Sequence, residues 1–386
     1  MQPGIREAAP TTDQILVVDG HNDLVWEMRK RQYDFDAVDI AQSQPDLHTD
    51  LPRIRAGGLG GQFWSVFVPG RMAGDEAVTA TLEQIDGVYT MLEHYPNDFV
   101  LVTTADGLAA SIAEGGSVGS LMGAEGGHQI NNSLGTLRML YRMGVRYLTL
   151  THNENNDWAD SATDTPRHGG LTEFGRSVVT EMNRLGMLVD LSHVHADTMR
   201  QAIETSAAPV IFSHSSCRAV CSHPRNVPDD VLASLPVNGG TCMITFVPGF
   251  VSQACADWRI EAHARAEAAG VDMKDFPAVS SYLKGLDLRP PKATLAHVVA
   301  HCEHAREVAG IDHLGLGGDF DGVDVLPVGI DDVSAYPAVL AALADNGWSR
   351  ADLTKIAHGN IIRTLHDAED VAVEQRDVET LVWQRA

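Results

Sequence analysis

The sequence is short of basic residues and has no long apolar run. Lysine and arginine number 28 against 52 acidic residues, so the formal net charge is −24, which argues against nucleic acid or an anionic membrane surface as a partner. No stretch approaches the roughly 18 apolar residues that a membrane-spanning helix requires. The opening stretch, MQPGIREAAPTTDQI, also lacks the charged start and apolar core of a signal peptide. We therefore expect a soluble, cytoplasmic protein.

Cysteine is scarce as well, with five residues in a chain of 386, and no pair has the C-x-x-C spacing of a redox or zinc-ribbon motif. We expect free structural thiols, and one disulfide, for instance Cys221 with Cys255, stays open. The sequence also lacks convincing repeats, low-complexity tracts and Pro/Ser-rich linkers. Because 44% of the residues are hydrophobic, the chain can bury a large core, and we expect a single domain over residues 1–386.

Short runs rich in Val, Ile and Leu alternate with amphipathic, helix-like segments along most of the chain. Eight such runs predict a (β/α)8 barrel, the TIM barrel of α/β proteins, rather than a doubly wound sheet. The runs are ILVVD (15–19), QFWSVFV (62–68), SLMGAEG (120–126), RYLTLTH (146–152), MLVDLSH (187–193), PVIFSH (209–214), TCMITFV (241–247) and HLGLGGDF (313–320).

A charged, helix-like segment over residues 254–286 follows the seventh run, and we expect it to be an insertion in the barrel. Two locations fit this segment. It would lie over the barrel mouth or at a subunit contact of a homodimer, and the pattern alone does not choose between them.

Polar side chains capable of binding metal stand at the ends of six of the eight runs. In a closed parallel barrel these ends converge on one mouth, where active sites of this fold lie. Histidines combined with carboxylates suit zinc and related divalent ions, and one glutamate shared by two ions would keep them close together. The residues are His21, Asp23, Glu125, His152, His193, His214 and Asp319.

Each of these residues, taken alone, also has an ordinary structural explanation. Glu125 in AEGGH would serve to cap a following helix, and Asp319 in the turn-rich GGDFDG would serve as a loop residue. His195 in SHVH is a rival to His193, although the register at the strand end favours His193. The joint pattern across six strand ends is harder to explain structurally than any single residue.

A second group of histidines has helical spacing and resembles a zinc-binding helix only in part. Its sequence, HVVAH, lacks the glutamate of the H-E-x-x-H motif, so we expect a solvated helix face there. The three residues are His297, His301 and His304.

Seven motifs of six to nine residues follow one another across nearly the whole chain: DGHNDL, GAEGGH, RYLTLTHN, GMLVDLSHV, PVIFSHSS, RNVPDDVL and GLGGDFDGV. In this order they resemble the renal (membrane) dipeptidase family of the amidohydrolase superfamily, and the chain looks like a bacterial-type soluble member. The resemblance implies a metalloprotease-type hydrolase that carries two zinc ions per chain. It implies as metal ligands His21, Asp23, Glu125, His193 and His214, with Glu125 bridging the two ions.

The resemblance also implies roles in catalysis and substrate binding. His152 would contact the substrate carbonyl, Arg225 would bind the substrate carboxylate, and Asp319 would act as the catalytic acid and base. A hydroxide bridging the metals would attack the peptide bond of a dipeptide, and a D-residue would be tolerated at the C-terminal position. Hydrolysis of an N-acyl amino acid or a lactone on the same metals is the alternative reaction. A metal-stabilised binding module is disfavoured, because Asp319 adds an acid beyond the ligand set.

Overall fold

The computed structural model describes residues 14–272, 276–286 and 290–375. Eight parallel strands close into a barrel in the order β1, β2, β4, β5, β6, β7, β8 and β9, because β2 pairs with β4 and β9 pairs with β1. Strand β3 pairs with the beginning of β4. The bounds are β1 Val17–Asn22, β2 Leu59–Phe67, β3 Phe99–Leu101, β4 Val118–Glu125, β5 Val145–Thr149, β6 Leu188–Asp190, β7 Val210–Ser215, β8 Thr241–Ile244 and β9 Leu314–Leu316. The predicted TIM barrel is confirmed, and each predicted run overlaps one barrel strand.

Helices surround the barrel and fill the connections between its strands. Short 3-10 helices lie at Gly127–Ile130, Ile311–His313 and Val333–Ala335, and a π-helical turn, Lys355–Gly359, precedes the last helix. The α-helices are α1 Leu24–Lys30, α2 Leu51–Gly57, α3 Gly74–His94, α4 Ala105–Glu114, α5 Leu134–Arg142, α6 Glu173–Leu185, α7 Ala196–Thr205, α8 Asp229–Leu232, α9 Leu235–Asn238, α10 Pro248–Val251, α11 Gln253–Ala268, α12 Phe276–Gly285, α13 Leu295–Ala309, α14 Tyr336–Asp345, α15 Arg350–Thr354 and α16 Asn360–Glu374.

Local sequence explains where these helices begin and end, as α6 illustrates. The Thr172 side chain caps its first turn, and Gly186 ends it with a φ of 78°, a left-handed conformation that glycine adopts without a Cβ clash. Three apolar side chains spaced four residues apart form its inner face and are buried against the barrel: Phe174, Val178 and Met182.

The barrel interior is filled by side chains, and glycines make room for the large ones. Every residue of β1 and β7 is buried, as expected for parallel strands covered by helices. A Cβ at Gly123 would overlap the ring of Tyr147, so this glycine allows the tyrosine to lie inside the barrel. Tyr147 is thereby placed beneath the carboxyl end of β1.

The segment after β8 contains α10, α11 and α12, with residues 273–275 outside the described part of the chain. Helix α11 begins two residues after α10, and the Phe250 ring of α10 lies 5.2 Å from the guanidinium carbon of Arg225. The insertion therefore starts beside the carboxyl ends of the strands. Across the described ranges, no helix combines the length and apolarity needed to cross a bilayer.

The expectation of a solvated histidine face on α13 is wrong for His301, which is fully buried. Its Nδ1 accepts the backbone N–H of Cys217 at 3.0 Å, and its Nε2 lies 3.1 Å from the carbonyl oxygen of Val251. Backbone groups of the loop after β7 and of the end of α10 thus satisfy both ring nitrogens. His297 belongs to the N-terminal cap of the helix, and His304 contacts an aspartate on α8.

All five cysteines lie in the described ranges, where each is buried and free. The Cys221–Cys255 disulfide is therefore not formed in this structure. Burial raises the pKa of the Cys217 thiol to about 12, which keeps this side chain in its neutral form. The expected structural thiols agree with this arrangement.

Candidate active site

The carboxyl ends of the barrel strands bring seven of the predicted site residues together at one mouth. They form three overlapping groups whose ligand atoms lie within 4.8 Å of one another. Overlap matters, because a residue shared by two groups lies between two candidate metal positions. The groups are His21, Glu125 and His214; Glu125, His152 and His193; and His21, Asp23 and Asp319.

The Glu125 carboxylate lies between two sets of histidines. Its Oε2 is 3.6 Å from Nε2 of His21, whereas its Oε1 is 3.0 Å from Nε2 of His193 and 3.6 Å from Nε2 of His214. Burial by itself would raise the pKa of Glu125, but the neighbouring histidines outweigh it and hold that pKa well below its ordinary value. The carboxylate therefore presents one anionic oxygen to each side.

A buried tyrosine fixes the orientation of His21. The Nδ1 atom of His21 lies 2.9 Å from the hydroxyl of Tyr147, and that hydroxyl donates to the carbonyl oxygen of Gly20 at 3.3 Å. The hydroxyl oxygen therefore accepts the Nδ1–H of His21, which leaves the lone pair on Nε2. This Nε2 atom is buried without a hydrogen-bond partner and lies 3.3 Å from Oδ2 of Asp23.

A second relay orients His214. Its Nδ1 lies 2.9 Å from Oγ of Ser213, which in turn donates to Oδ2 of Asp190 at 2.7 Å. Because the hydroxyl proton points to the aspartate, the serine oxygen accepts the Nδ1–H of His214 and the lone pair again lies on Nε2. That Nε2 is 3.0 Å from Nε2 of His193, so two imidazoles meet at one oxygen of Glu125.

Two site residues have a left-handed backbone conformation, which residues other than glycine rarely adopt. The φ angles are 68° at His193 and 60° at Asp319. Each such residue costs on the order of 1 kcal/mol, and strain of this kind concentrates at functional sites. The packing of the barrel mouth therefore holds both side chains against a local preference.

Asp319 faces a second carboxylate inside this mouth. A Cβ at Gly322 would overlap carboxylate oxygens of both Asp319 and Asp23, so the two acids meet over that glycine. Burial raises the pKa of Asp319 well above its ordinary value, and Asp23 and Glu125 add to the increase. Asp319 is thus suited to hold and release a proton.

His152 lies at the outer edge of the cluster. Its Nε2 is 3.9 Å from Oε1 of Glu125, and its ring centroid is 4.5 Å from that of His193 and 4.9 Å from that of Phe67. Burial lowers the pKa of His152. On the other side of the ring, Nδ1 lies 4.0 Å from Oε2 of Glu154. The imidazole therefore separates the ligand cluster from an outer carboxylate.

Arg225 is a buried cation with weak partners. Its side chain makes two long hydrogen bonds, to Oγ of Ser215 at 3.5 Å and to the carbonyl oxygen of His214 at 3.4 Å, and its Nε has none. Burial lowers the pKa of Arg225 to about 10. Within the described ranges, no carboxylate lies within 4.0 Å of the guanidinium. A buried charge without a counterion is costly, so this position suits an incoming carboxylate.

Sequence reasoning did not identify the residues that orient the histidines. Tyr147 and Asp190 were visible as polar side chains inside predicted buried strands, but their partners lie on other strands. The Oγ of Ser65 also donates to Oε2 of Glu125 at 3.2 Å. The rival histidine, His195, caps α7 by accepting the backbone N–H of Asp197 at 3.2 Å, away from the cluster.

Comparison with known proteins gives a consistent picture along the chain. The sequence model of the membrane dipeptidase family, peptidase family M19, matches residues 5–379. An uncharacterized dipeptidase of Schizosaccharomyces pombe is 41% identical over 369 residues, which cover 92% of this chain and 81% of the relative. Dipeptidase verJ of Clonostachys rogersoniana is 37% identical over 389 residues, covering 98% of this chain and 90% of the relative.

A solved structure agrees with these sequence relatives. It is a metallopeptidase from Rhodobacter sphaeroides, bound to a phosphinate mimic of the dipeptide L-Ala-D-Ala. It is 25% identical, has a TM-score of 0.76, and the match covers 92% of this chain and all of that chain. The family resemblance inferred from the seven motifs is confirmed by these matches.

Proposed function

The chain belongs to the membrane dipeptidase family, peptidase family M19, and we propose that it hydrolyses dipeptides with two zinc ions at the barrel mouth. The position of Glu125 carries the proposal, because its two oxygens face different histidine groups. A carboxylate in this arrangement is suited to bridge two cations. In this proposal His21 and Asp23 would bind the first ion, and His193 and His214 would bind the second.

The donor atoms fit such a pair of cations. Nε2 of His21 and Oδ1 of Asp23 are buried without any hydrogen-bond partner, which is costly unless a cation compensates them. The relays through Tyr147 and Ser213 leave the Nε2 lone pairs available. Nitrogen donors combined with carboxylates are typical of zinc sites.

When bound, the two ions would supply Lewis acidity, which lowers the pKa of the attacking water and polarises the scissile carbonyl. Stabilisation of the developing negative charge and proton transfer would be carried out by side chains of the protein. His152 is placed to donate from Nε2 to the carbonyl oxygen, where negative charge develops. Asp319 accepts the proton of the attacking water and passes it to the leaving amine, a role that its raised pKa supports.

Arg225 would bind the terminal carboxylate of the substrate and thereby limit the substrate to two residues. A guanidinium offers two parallel donors to a carboxylate, and a dipeptide places that group one residue beyond the scissile bond. The bound L-Ala-D-Ala mimic of the Rhodobacter sphaeroides relative supports tolerance of a D-residue at the C-terminal position of this chain's substrates.

A stereochemically defined panel tests this function. Zinc-loaded protein is assayed with L,L and L,D dipeptides, with N-acyl amino acids and with lactones. We expect hydrolysis of dipeptides of both kinds and little turnover of the other classes. Turnover of N-acyl amino acids or lactones without hydrolysis of any dipeptide would replace the proposal by another reaction on the same site.

A further inference from the structure

A carboxylate without a lysine or arginine partner in the described ranges, Glu154, lies at the rim of the barrel mouth. It is two residues beyond His152 and is 44% exposed, yet its Oε2 atom is buried and has no hydrogen-bond partner. Its only ion-pair neighbour in the described ranges is His152, at 4.0 Å from Nδ1. One carboxylate oxygen is thus desolvated without a lysine or arginine to compensate it.

The carboxylate of Glu154 lies on the opposite side of the mouth from Arg225. It packs against the loop that follows β2, where a Cβ at Gly70 would overlap its Oε2. Arg225 follows β7, and β2 and β7 face each other across the eight-stranded barrel. The cluster around Glu125 lies between these two charges.

This placement determines which end of a substrate meets Glu154, given the proposed dipeptidase function on which the inference rests. With the substrate carboxylate on Arg225 and its carbonyl beside His152, the N-terminal residue extends toward the loop after β2. The substrate carbonyl would lie at Nε2 of His152, the nitrogen that faces Glu125, whereas Glu154 lies beside Nδ1 on the other side of the ring. Glu154 is therefore farther from the ligand cluster than the substrate carbonyl, by about the width of the imidazole ring.

The distance selects for a long side chain rather than for the α-ammonium group. The α-ammonium is two bonds from the carbonyl carbon and stays beside the cluster, whereas the end of a lysine or arginine side chain extends past the His152 ring. We propose that Glu154 binds a cationic side chain on the N-terminal residue of the dipeptide, so that the enzyme favours Lys-Xaa and Arg-Xaa substrates.

Matched substrates separate charge from length. Lys-Ala, norleucyl-Ala and 2,3-diaminopropionyl-Ala share a backbone, but only the first combines a long side chain with a distal charge. We expect Glu154→Gln to lower kcat/KM for Lys-Ala by roughly tenfold, between the effects typical of an exposed ion pair and of a buried charged hydrogen bond. The other two substrates should change by less than about twofold, and added salt should reduce the wild-type preference.

Asp157→Asn is the matched control. Asp157 lies in the same loop, is 60% exposed and contacts Asn132 and Arg167, so its replacement removes one charge at a distance from the ligand cluster. It should leave the ratio of Lys-Ala to norleucyl-Ala rates unchanged. Glutamine is nearly isosteric with Glu154 and preserves the close packing against Gly70.

Three results would overturn the inference. An equal loss for all three substrates in Glu154→Gln would mean that Glu154 acts through His152. Unchanged rates for all three substrates in that variant would mean that Glu154 does not bind the charged side chain. A wild-type enzyme that hydrolyses no dipeptide would instead refute the proposed function itself. Wild-type hydrolysis of norleucyl-Ala without any preference for Lys-Ala would refute only the role of Glu154.

Discussion

Replacing Arg225 by methionine tests whether this residue binds the terminal carboxylate of the substrate. The guanidinium is buried, and in the free enzyme its hydrogen bonds are long, at 3.4 and 3.5 Å. Its removal should therefore cost the folded protein little, because the native state loses an uncompensated charge and keeps an apolar stem. We expect the melting temperature of Arg225→Met to equal or exceed that of the wild type.

Catalysis should respond in the opposite direction. Removing the buried partner of the substrate carboxylate should weaken the binding free energy by about 2 to 5 kcal/mol. At about 1.4 kcal/mol per factor of ten, kcat/KM for a free dipeptide should fall by roughly 30- to 4,000-fold. Amidated dipeptides carry no terminal charge, so the wild type should discriminate against them and the variant should do so much less.

The assay compares kcat/KM for a free dipeptide and its C-terminal amide in both proteins. Arg200→Met is the control, since Arg200 lies on α7, is 42% exposed and pairs with surface aspartates. An unchanged ratio of free to amidated rates in Arg225→Met would refute carboxylate binding by Arg225. A large loss of thermal stability would refute the reasoning about its weak partners.

Three further outcomes are expected. Zinc-replete protein should contain about two divalent ions per chain by elemental analysis. The Glu125→Gln variant should lose both ions, and loss of only one would contradict a carboxylate shared by the two. Asp319→Asn should lower kcat by roughly 10²-fold or more with metal content retained; loss of metal would make Asp319 a ligand. Tyr147→Phe should weaken zinc binding by roughly 10- to 100-fold, because the Nδ1–H of His21 loses its acceptor; unchanged affinity in a chelator competition would contradict that relay.

The barrel and the meeting of its polar residues followed from the sequence because both depend on short-range pattern. Each strand is a buried apolar run, and parallel strands in a closed barrel end at one mouth. His21 and Asp23 could therefore be placed near His193 and His214 without any knowledge of side-chain contacts. The metal-binding roles of these residues remain predictions that the geometry supports.

What the sequence did not reveal depends on contacts between distant segments. The hydroxyl of Tyr147 meets His21 across the barrel, an approach that requires the absence of a side chain at Gly123. His301 was expected to face solvent, because helical spacing does not show that the loop after β7 and the end of α10 contact both of its ring nitrogens. The left-handed backbone at His193 has no sequence signature, since histidine does not require it.

The order in which the chain supplies the ligands has a consequence for how the protein is made. His21 and Asp23 are synthesised before the other ligands, but β1 acquires its second neighbour only when β9 pairs with Asp19 through Leu316. A ribosome-bound chain that lacks β9 therefore presents its ligands on an open sheet. The pairing of β1 with β9 has not yet formed, so nothing offsets the chain entropy that closing the barrel costs. Complete assembly of the cluster therefore coincides with barrel closure, after β9 has been synthesised, and premature termination before that strand yields a chain without the finished site.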